Sequence, residues 1–168
     1  MKKDITILKL KVSQWEEYRD LRLEALRKDS SAFGSSYQEE RNRKENEWKE
    51  KLNARGVLLA YVNGLAVGIA QYRFREGEKL QHVADISSVY VKDDFRGRGI
   101  AKALMIEALK QICKNPKVIK ISLNVHSQQV AARSLYEKLG FKIIGIFEKE
   151  VKIKNKYFDS IVMERFIK

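Results

Sequence analysis

The sequence predicts an α/β (mixed α+β) domain built on a central mixed, mostly antiparallel sheet with helices on both faces. Three observations carry that expectation. Apolar residues alternate with period two in some segments and recur near period 3.6 in others, in the order β-α-α-β-β-β-α-β-α-β-β. Asn63-Gly64 lies between two apolar runs and marks a tight hairpin. The run from Val89 to Leu104 reads as a strand, a glycine turn and a helix.

Taken in order, Ile5 to Val12 mixes apolar residues and lysines and reads as an edge strand guarded by charge. Ser13, with Glu16 three residues on, is placed as the cap of a helix reaching about Lys28, whose Trp15, Tyr18, Leu21, Leu23, Ala25 and Leu26 fall largely on one side. Asp29 to Ser36 breaks it as a loop. A second helix, about Gln38 to Asn53, is highly charged with only Trp48 and Leu52 apolar; it is expected to lie across the surface, over an opening. Val57 to Val62 and Leu65 to Phe74 form the hairpin strands, and after the Glu76-Gly77-Glu78 turn Gln81 to Val91 forms the strand that enters the glycine loop. A helix from about Gly99 to Lys114 places Ile100, Leu104, Ala108 and Ile112 on one face, and Pro116, the only proline, follows its end. Ile119 to Val125 is the next strand; Ser127 is placed as the cap of a helix to Leu139, which Gly140 ends. Phe141 to Glu148 and Tyr157 to Phe166 close the chain as strands joined near Lys154-Asn155.

Length and composition bound the class. With 168 residues, no internal repeat and no linker, residues 1–168 read as one domain. No apolar run reaches the ~20 residues that span a bilayer, and Met1-Lys2-Lys3-Asp4 leads into alternating rather than continuous apolar residues, so no membrane partner is expected. The single Cys113, read as a packing residue, forms no internal disulfide, and two distant histidines make no metal cluster; a cytoplasmic protein without a metal is the expectation. Thirty-four basic against 22 acidic residues give a net charge of +12, which raises nucleic-acid binding as a candidate. The cations are spread through every segment, with no zinc finger, aromatic-basic motif or basic tail, so a solvated surface biased toward an anionic ligand is preferred to specific nucleic-acid recognition.

Glycines at 97 and 99 let the backbone approach a ligand, and the helix that follows offers unpaired N–H groups to anionic oxygens. The dinucleotide pattern G-x-G-x-x-G fails at Lys102, and the G-K-[ST] of nucleotide-triphosphate loops is absent. Arg96-Gly97-Arg98-Gly99-Ile100-Ala101 instead fits Arg/Gln-x-x-Gly-x-Gly/Ala. A second block, Leu123-Asn124-Val125 followed by Gln129 to Phe141, fits N-x-x-A-x-x-L-Y-x-x-x-G-F at Ala132, Leu135, Tyr136, Gly140 and Phe141, with Gln129 where asparagine is usual. Together the two blocks, over roughly residues 80 to 145, resemble the acetyl-CoA-dependent N-acetyltransferases of the GNAT superfamily.

That resemblance implies the GNAT fold, with acetyl-CoA as co-substrate between the strand ending at Val91 and the strand of Ile119 to Val125. It implies pantetheine bonds to the backbone of Val89 and Val91, with Tyr90 between them. The pyrophosphate would meet N–H groups from Gly97 through Gly99, Ile100 and Ala101 to Lys102. Arg96, Arg98 and Lys102 stand as side-chain candidates for the phosphates, and Asn124 and Gln129 as further cofactor contacts. Acyl transfer to an amine needs a base for the attacking nitrogen and an acid for the departing thiolate. Tyr136 occupies the tyrosine position that the resemblance implies for the acid. Asp85, near where several relatives carry a glutamate, is the first candidate for the base; an ion-paired strand aspartate fits that position equally, and His126 is the second candidate. Backbone N–H groups around Val89 to Val91 would hold the oxyanion. Relatives take substrate specificity from the first two helices, their loop and the last two strands, which makes Phe33, Ser35, Ser36, Tyr37, Glu39, Glu40, Tyr157 and Asp159 candidate liners. The implied reaction is acetyl transfer by direct attack of a primary amine, on a small molecule first and on a peptide or protein second, with a catalytically silent acyl-CoA sensor as the alternative. Ile143, Ile144, Ile146, Phe147 and Ile161 supply apolar surface either for a homodimer through the late strands or for the core.

Overall fold

The computed structural model describes residues 5–167, so the start 1–4 and Lys168 lie outside the described residues. Its strands are β1 (Ile5–Lys9), β2 (Gly56–Val62), β3 (Leu65–Phe74), β4 (Val83–Val91), β5 (Lys120–His126), β6 (Lys142–Ile153) and β7 (Lys156–Phe166). They form one sheet in the order β1-β2-β3-β4-β5-β7-β6, antiparallel throughout except where β4 meets β5. The helices longer than one 3-10 turn are α1 (Trp15–Lys28), α2 (Tyr37–Glu40), α3 (Glu45–Asn53), α4 (Ile100–Cys113) and α5 (Val130–Lys138). None of the described helices is long and apolar enough to cross a membrane.

The continuous apolar run of β2 follows from burial on both faces. Leu58, Ala60 and Val62 belong to the core under α4 and α5, whereas Val57 and Leu59 belong to the core under α1 and α3. Period-two alternation thus feeds two cores at once. α4 lays Ile100, Leu104, Met105, Ala108, Leu109 and Ile112 onto the first of them. α1 sends Tyr18, Leu21, Ala25 and Leu26 into the second, where the Tyr18 ring meets Trp48 of α3 edge-on with centroids 5.4 Å apart. Both residues of the Asn63-Gly64 turn have positive φ, as the expected hairpin requires.

Several boundaries differ from the sequence reading, each for a local reason. β1 ends at Lys9, a 3-10 turn covers Val12–Gln14, and Lys11 N donates to Gln14 Oε1 at 3.0 Å, so Ser13 is not the cap of α1. The charged helix expected over 38–53 is two helices. Glu40 is drawn into the interior by Arg22 and Lys51, the chain turns at 41–44, and Glu47 Oε2 accepts from Lys44 N at 2.8 Å to restart the helix. α5 begins at Val130 after Gln129, so Ser127 is not its cap. Its end is as expected: Gly140 has φ +85°, Gly140 N donates to Glu137 O and Phe141 N to Tyr136 O, the paired bonds of a Schellman ending. Cys113 is exposed rather than packed. On β6, Ile143, Ile144, Ile146 and Phe147 are exposed, while Ile161 on β7 is buried in the core.

Candidate active site

Among the described residues the only parallel strand contact is also the shortest. β4 and β5 pair from Val83↔Lys120 to Asp85↔Ser122 and then diverge. Beyond that fork the edge of β4 that faces β5 has no strand partner among the described residues. On its other side β4 carries one residue more than β3 between the pairs Ile69↔Tyr90 and Gln71↔Ser87, which makes a bulge. Ser88 sits in it with φ +57°, an uncommon conformation for a residue with a side chain. The bulge is held from below. Arg22 Nη1 donates to Ser88 Oγ at 3.0 Å, and the same guanidinium forks onto Glu40 through Nη2 to Oε1 at 3.0 Å and Nε to Oε2 at 3.3 Å. Burial alone pushes the Glu40 carboxyl up, but Arg22 and Lys51 outweigh it and hold it at about 2.

A cavity of about 320 Å³ opens along this divergence, walled by Val89 to Val91, the glycine loop and α5. Gly97 and Gly99 have φ +74° and +80°, and Gly99 precedes the first residue of α4. The N–H groups of Ile100, Ala101 and Lys102 are therefore the unpaired first turn of a long helix, facing the cavity. Lys102 is exposed on this wall and has no carboxylate partner among the described residues. Arg96 and Arg98 are instead braces of the loop. Arg96 donates through Nε to Val91 O at 3.0 Å and through Nη2 to Asp29 at 3.1 Å, while Arg98 Nη2 donates to Asp94 O at 2.7 Å with its guanidinium over the Phe95 ring. Tyr90 and Ile100 bury their side chains in opposite cores, so what they offer the cavity is backbone. Among the described residues, the strand edge without a partner, the first-turn amides, Lys102 and an apolar wall of Ala131, Ala132 and Leu135 fit a ligand with a thin amide-bearing arm and a diphosphate.

Val89, Gln129, Ala132 and Tyr136 also line a neighbouring small pocket, the pore, of about 40 Å³ that holds Asn124 and His126. Tyr136 is buried, its ring edge-on to Phe141, and burial raises its phenol well above the usual range. It carries its proton at neutral pH. Burial lowers the pKa of His126, with the Asp29 carboxylate opposing, so the imidazole is neutral at the same pH. Gln129, the residue in place of asparagine, donates through Nε2 to Asp29 Oδ1 at 3.4 Å; Asp29 thereby joins the α5 entry to the Arg96 loop. Asn124 does not line the larger cavity; it borders the pore and the cleft beyond.

That cleft, about 470 Å³, lies on the far side of the pore and shares Ser87, Ser88, Leu123 and Asn124 with it. Asp85 lines this cleft and not the cavities that hold Tyr136. Both of its oxygens are engaged: Arg75 donates through Nη2 at 2.7 Å and Nε at 3.1 Å, and Arg73 through Nε at 3.1 Å. Of the candidate liners, Phe33 and Ser35 are present. Ser36 and Glu39 are the reciprocal capping pair of α2, Glu40 is buried, Tyr157 is exposed beside Lys152, and Asp159 Oδ1 accepts from Lys149 N at 2.8 Å. The residues that sequence reasoning missed are Arg22, Arg55, Arg73 and Arg75, all on the cleft wall. Only the Arg73-x-Arg75 alternation at a strand end hinted at them.

A forked mixed sheet with a bulged strand, a glycine loop opening a helix and a buried tyrosine at the pore makes a site that fits an acyl carrier in an extended form. Comparison with known proteins assigns the family. The Acetyltransferase (GNAT) family profile matches residues 15–141. The chain is 33% identical over 122 residues, 70% of its length and 74% of the relative's, to the L-amino acid N-acetyltransferase AaaT of Escherichia coli (strain K12). A GNAT acetyltransferase structure from Streptococcus pneumoniae superposes with a TM-score of 0.86 at 22% identity, covering 98% of this chain and all of that one. YncA of Salmonella typhimurium, solved with its cofactor acetyl-CoA, gives a TM-score of 0.84 at 17% identity over 98% and 95% of the two chains. The chain belongs to the GNAT family and is an acetyl-CoA-dependent N-acetyltransferase.

Proposed function

We propose that residues 1–168 act as one N-acetyltransferase domain that acetylates a primary amine on a small molecule, with Tyr136 and His126 moving the protons. The observation that carries this reading is the shared lining of neighbouring pockets: Tyr136 lines the larger cavity and the small pocket, and His126 lines the small pocket, which shares Ser88 and Asn124 with the cleft. Acetyl-CoA supplies the activated acetyl thioester when bound. The backbone of Val89 to Val91 and the amides from Gly97 to Lys102 would hold it, with Lys102 adding charge. An amine entering from the Asp85 side reaches the pore as an ammonium with a pKa of roughly 10 and must lose a proton to attack. Neutral His126 first accepts that proton, the freed lone pair then attacks the thioester carbonyl, and as the C–S bond breaks Tyr136 gives its proton to the sulfur and regains one from the nitrogen, which becomes the amide N–H. Backbone N–H groups around Val89 to Val91, beside the Ser88 bulge, would stabilise the negative charge that develops on the thioester oxygen.

Asp85 serves the acceptor side, because its lone pairs are engaged by Arg73 and Arg75 and it stands outside the pore. Gln129 keeps a place at the cofactor wall through its bond to Asp29. A cytoplasmic enzyme is supported by the lone Cys113, and a homodimer by the exposed Ile143, Ile144, Ile146 and Phe147 on β6. The experiment is thiol release from acetyl-CoA across a panel of amines, with the acetylated product identified by mass. Tyr136→Phe is expected to lower kcat at least about 10-fold while leaving acetyl-CoA affinity within about 3-fold. Equal turnover in that variant removes Tyr136 from the acid role.

A further inference from the structure

We propose that the acceptor amine carries a carboxylate, as a free amino acid does, and that Arg55 and Arg73 hold that carboxylate in the cleft beyond the pore. This inference rests on the acetyl transfer to an amine argued above. The cleft wall bears Arg22, Arg55, Arg73 and Arg75 and a single carboxylate, Asp85. Adding Glu40, which lies against Arg22, leaves four cations facing two anions, a surplus of +2. Guanidinium groups keep their charge at every accessible pH, so the surplus is permanent.

The four arginines are not equally available. Arg22 is consumed by Glu40 and Ser88, and Arg75 is forked onto Asp85. Arg73 gives Asp85 only its Nε, and its two terminal nitrogens have no partner among the described residues. Arg55 makes one long bond, from Nη1 to Gln71 Oε1 at 3.4 Å, and has no carboxylate partner among the described residues. Two half-free planar forks on one wall match the two oxygens of a carboxylate. Glu39 and Glu40, the acids that would have drawn a polycation, are turned to a helix cap and to the interior. A positive cleft of this kind concentrates anions and repels polyamines. Ser87, Ser88 and Asn124 line both this cleft and the small pocket that holds His126, so the cleft that takes the carboxylate shares a wall with the one that holds the proposed base.

The test compares kcat/KM for L-amino acids, their methyl esters, 2-aminoethylphosphonate and spermidine. A charge-assisted bidentate contact is worth about 10- to 100-fold, so each ester is expected to lose about that factor, mostly in KM, and spermidine to be a poorer acceptor still. Arg55→Gln is expected to shrink the acid-to-ester ratio to within about 3-fold by weakening only the acid. Arg73→Gln, at an exposed strand end, gives the same readout if the first variant folds poorly. Esters or spermidine as good as the acids, a phosphonate preferred to every carboxylate, or variants that weaken acid and ester alike would overturn the carboxylate assignment while leaving the acetyltransferase intact. Should no amine be acetylated, the reading of the reaction fails, and calorimetric titration of L-amino acids into the coenzyme A-loaded protein still decides the site. Binding lost in Arg55→Gln supports it; no binding to the unaltered protein refutes it.

Discussion

Replacing Glu40 by Gln tests whether the floor of the active site is electrostatic. Glu40 is fully buried with 0% exposure, forked by Arg22 and reached by Lys51 at 2.9 Å. A carboxyl held at about 2 rather than its ordinary 4.5 corresponds to roughly 3 kcal/mol of folded-state preference for the ionised form. Removing one partner of a buried ion pair costs about 3–5 kcal/mol by independent reasoning, because the guanidinium stays inside without its counter-charge. The two figures agree, so Glu40→Gln is expected to destabilise the protein by about 3 kcal/mol at pH 7, or about 6–12 °C in Tm for a chain of this size. The sign with pH follows from the direction of the shift. A lowered carboxyl contributes fully above its unfolded value near 4.5 and loses that contribution as pH falls toward 2, so wild type and variant converge in acid. Urea denaturation followed by tryptophan fluorescence at pH 7 and at pH 3 measures both, since Trp48 packs in the same core. A loss under about 1 kcal/mol at pH 7, or a gap that stays constant into acid, refutes the reasoning.

Three further perturbations separate the roles of the site residues. Because burial lowers His126, the kcat profile of the wild type should show an acid limb with its midpoint below about 6.5, and His126→Gln should abolish that limb; an unchanged limb assigns it elsewhere. Asp85→Asn should change stability by less than about 1 kcal/mol, since Arg73 is half exposed, and should act on acceptor KM rather than kcat; a kcat loss of about 100-fold with a flattened pH response makes Asp85 the base instead. Gly99→Ala meets no neighbouring atom but forces a side chain onto φ +80°, so it should cost about 1–2 kcal/mol of stability and raise the acetyl-CoA Kd about 10-fold by isothermal titration; an unchanged Kd removes the loop amides from the phosphate contact.

What was legible in the sequence is what short-range backbone rules dictate. Two glycines before an amphipathic helix, an Asn-Gly hairpin and a Gly140 helix ending each constrain the chain within a few residues, and all three stand in the structure as read. Caps were less legible, because Ser13 and Ser127 could open helices but the chain starts α1 at Trp15 and α5 at Val130. The break at 41–44 was hidden for a different reason. It follows from Glu40 pairing with a residue 18 positions away, which no local pattern encodes. The proposed acceptor cleft is the extreme case, assembled from α1, the loop after it, the residue before β2, the end of β3 with the turn that follows, the middle of β4, and β5. Arg22, Arg55, Arg73 and Arg75 look like any four of the chain's 34 lysines and arginines, and only the topology puts them on one wall.

The two ends of the site use different electrostatics, and that difference is measurable. On the proposed acetyl-CoA side the groups lining the cavity among the described residues are main-chain amides and Lys102, because Arg96 and Arg98 are spent on Val91 O, Asp29 and Asp94 O. On the proposed acceptor side the groups are full charges on the guanidiniums of Arg55 and Arg73, the Arg73 side chain being 54% exposed. Salt screens exposed charges with a Debye length that falls from about 10 Å at 0.1 M to about 3 Å at 1 M, whereas fixed amide dipoles in direct contact with a ligand are screened far less. Raising ionic strength from 0.1 to 1 M with a non-coordinating salt should therefore raise the acceptor KM several-fold more than the acetyl-CoA KM. Equal salt sensitivity at the two ends would mean that the phosphates are held by side-chain charge, with Arg96 and Arg98 released from their protein partners when the cofactor binds.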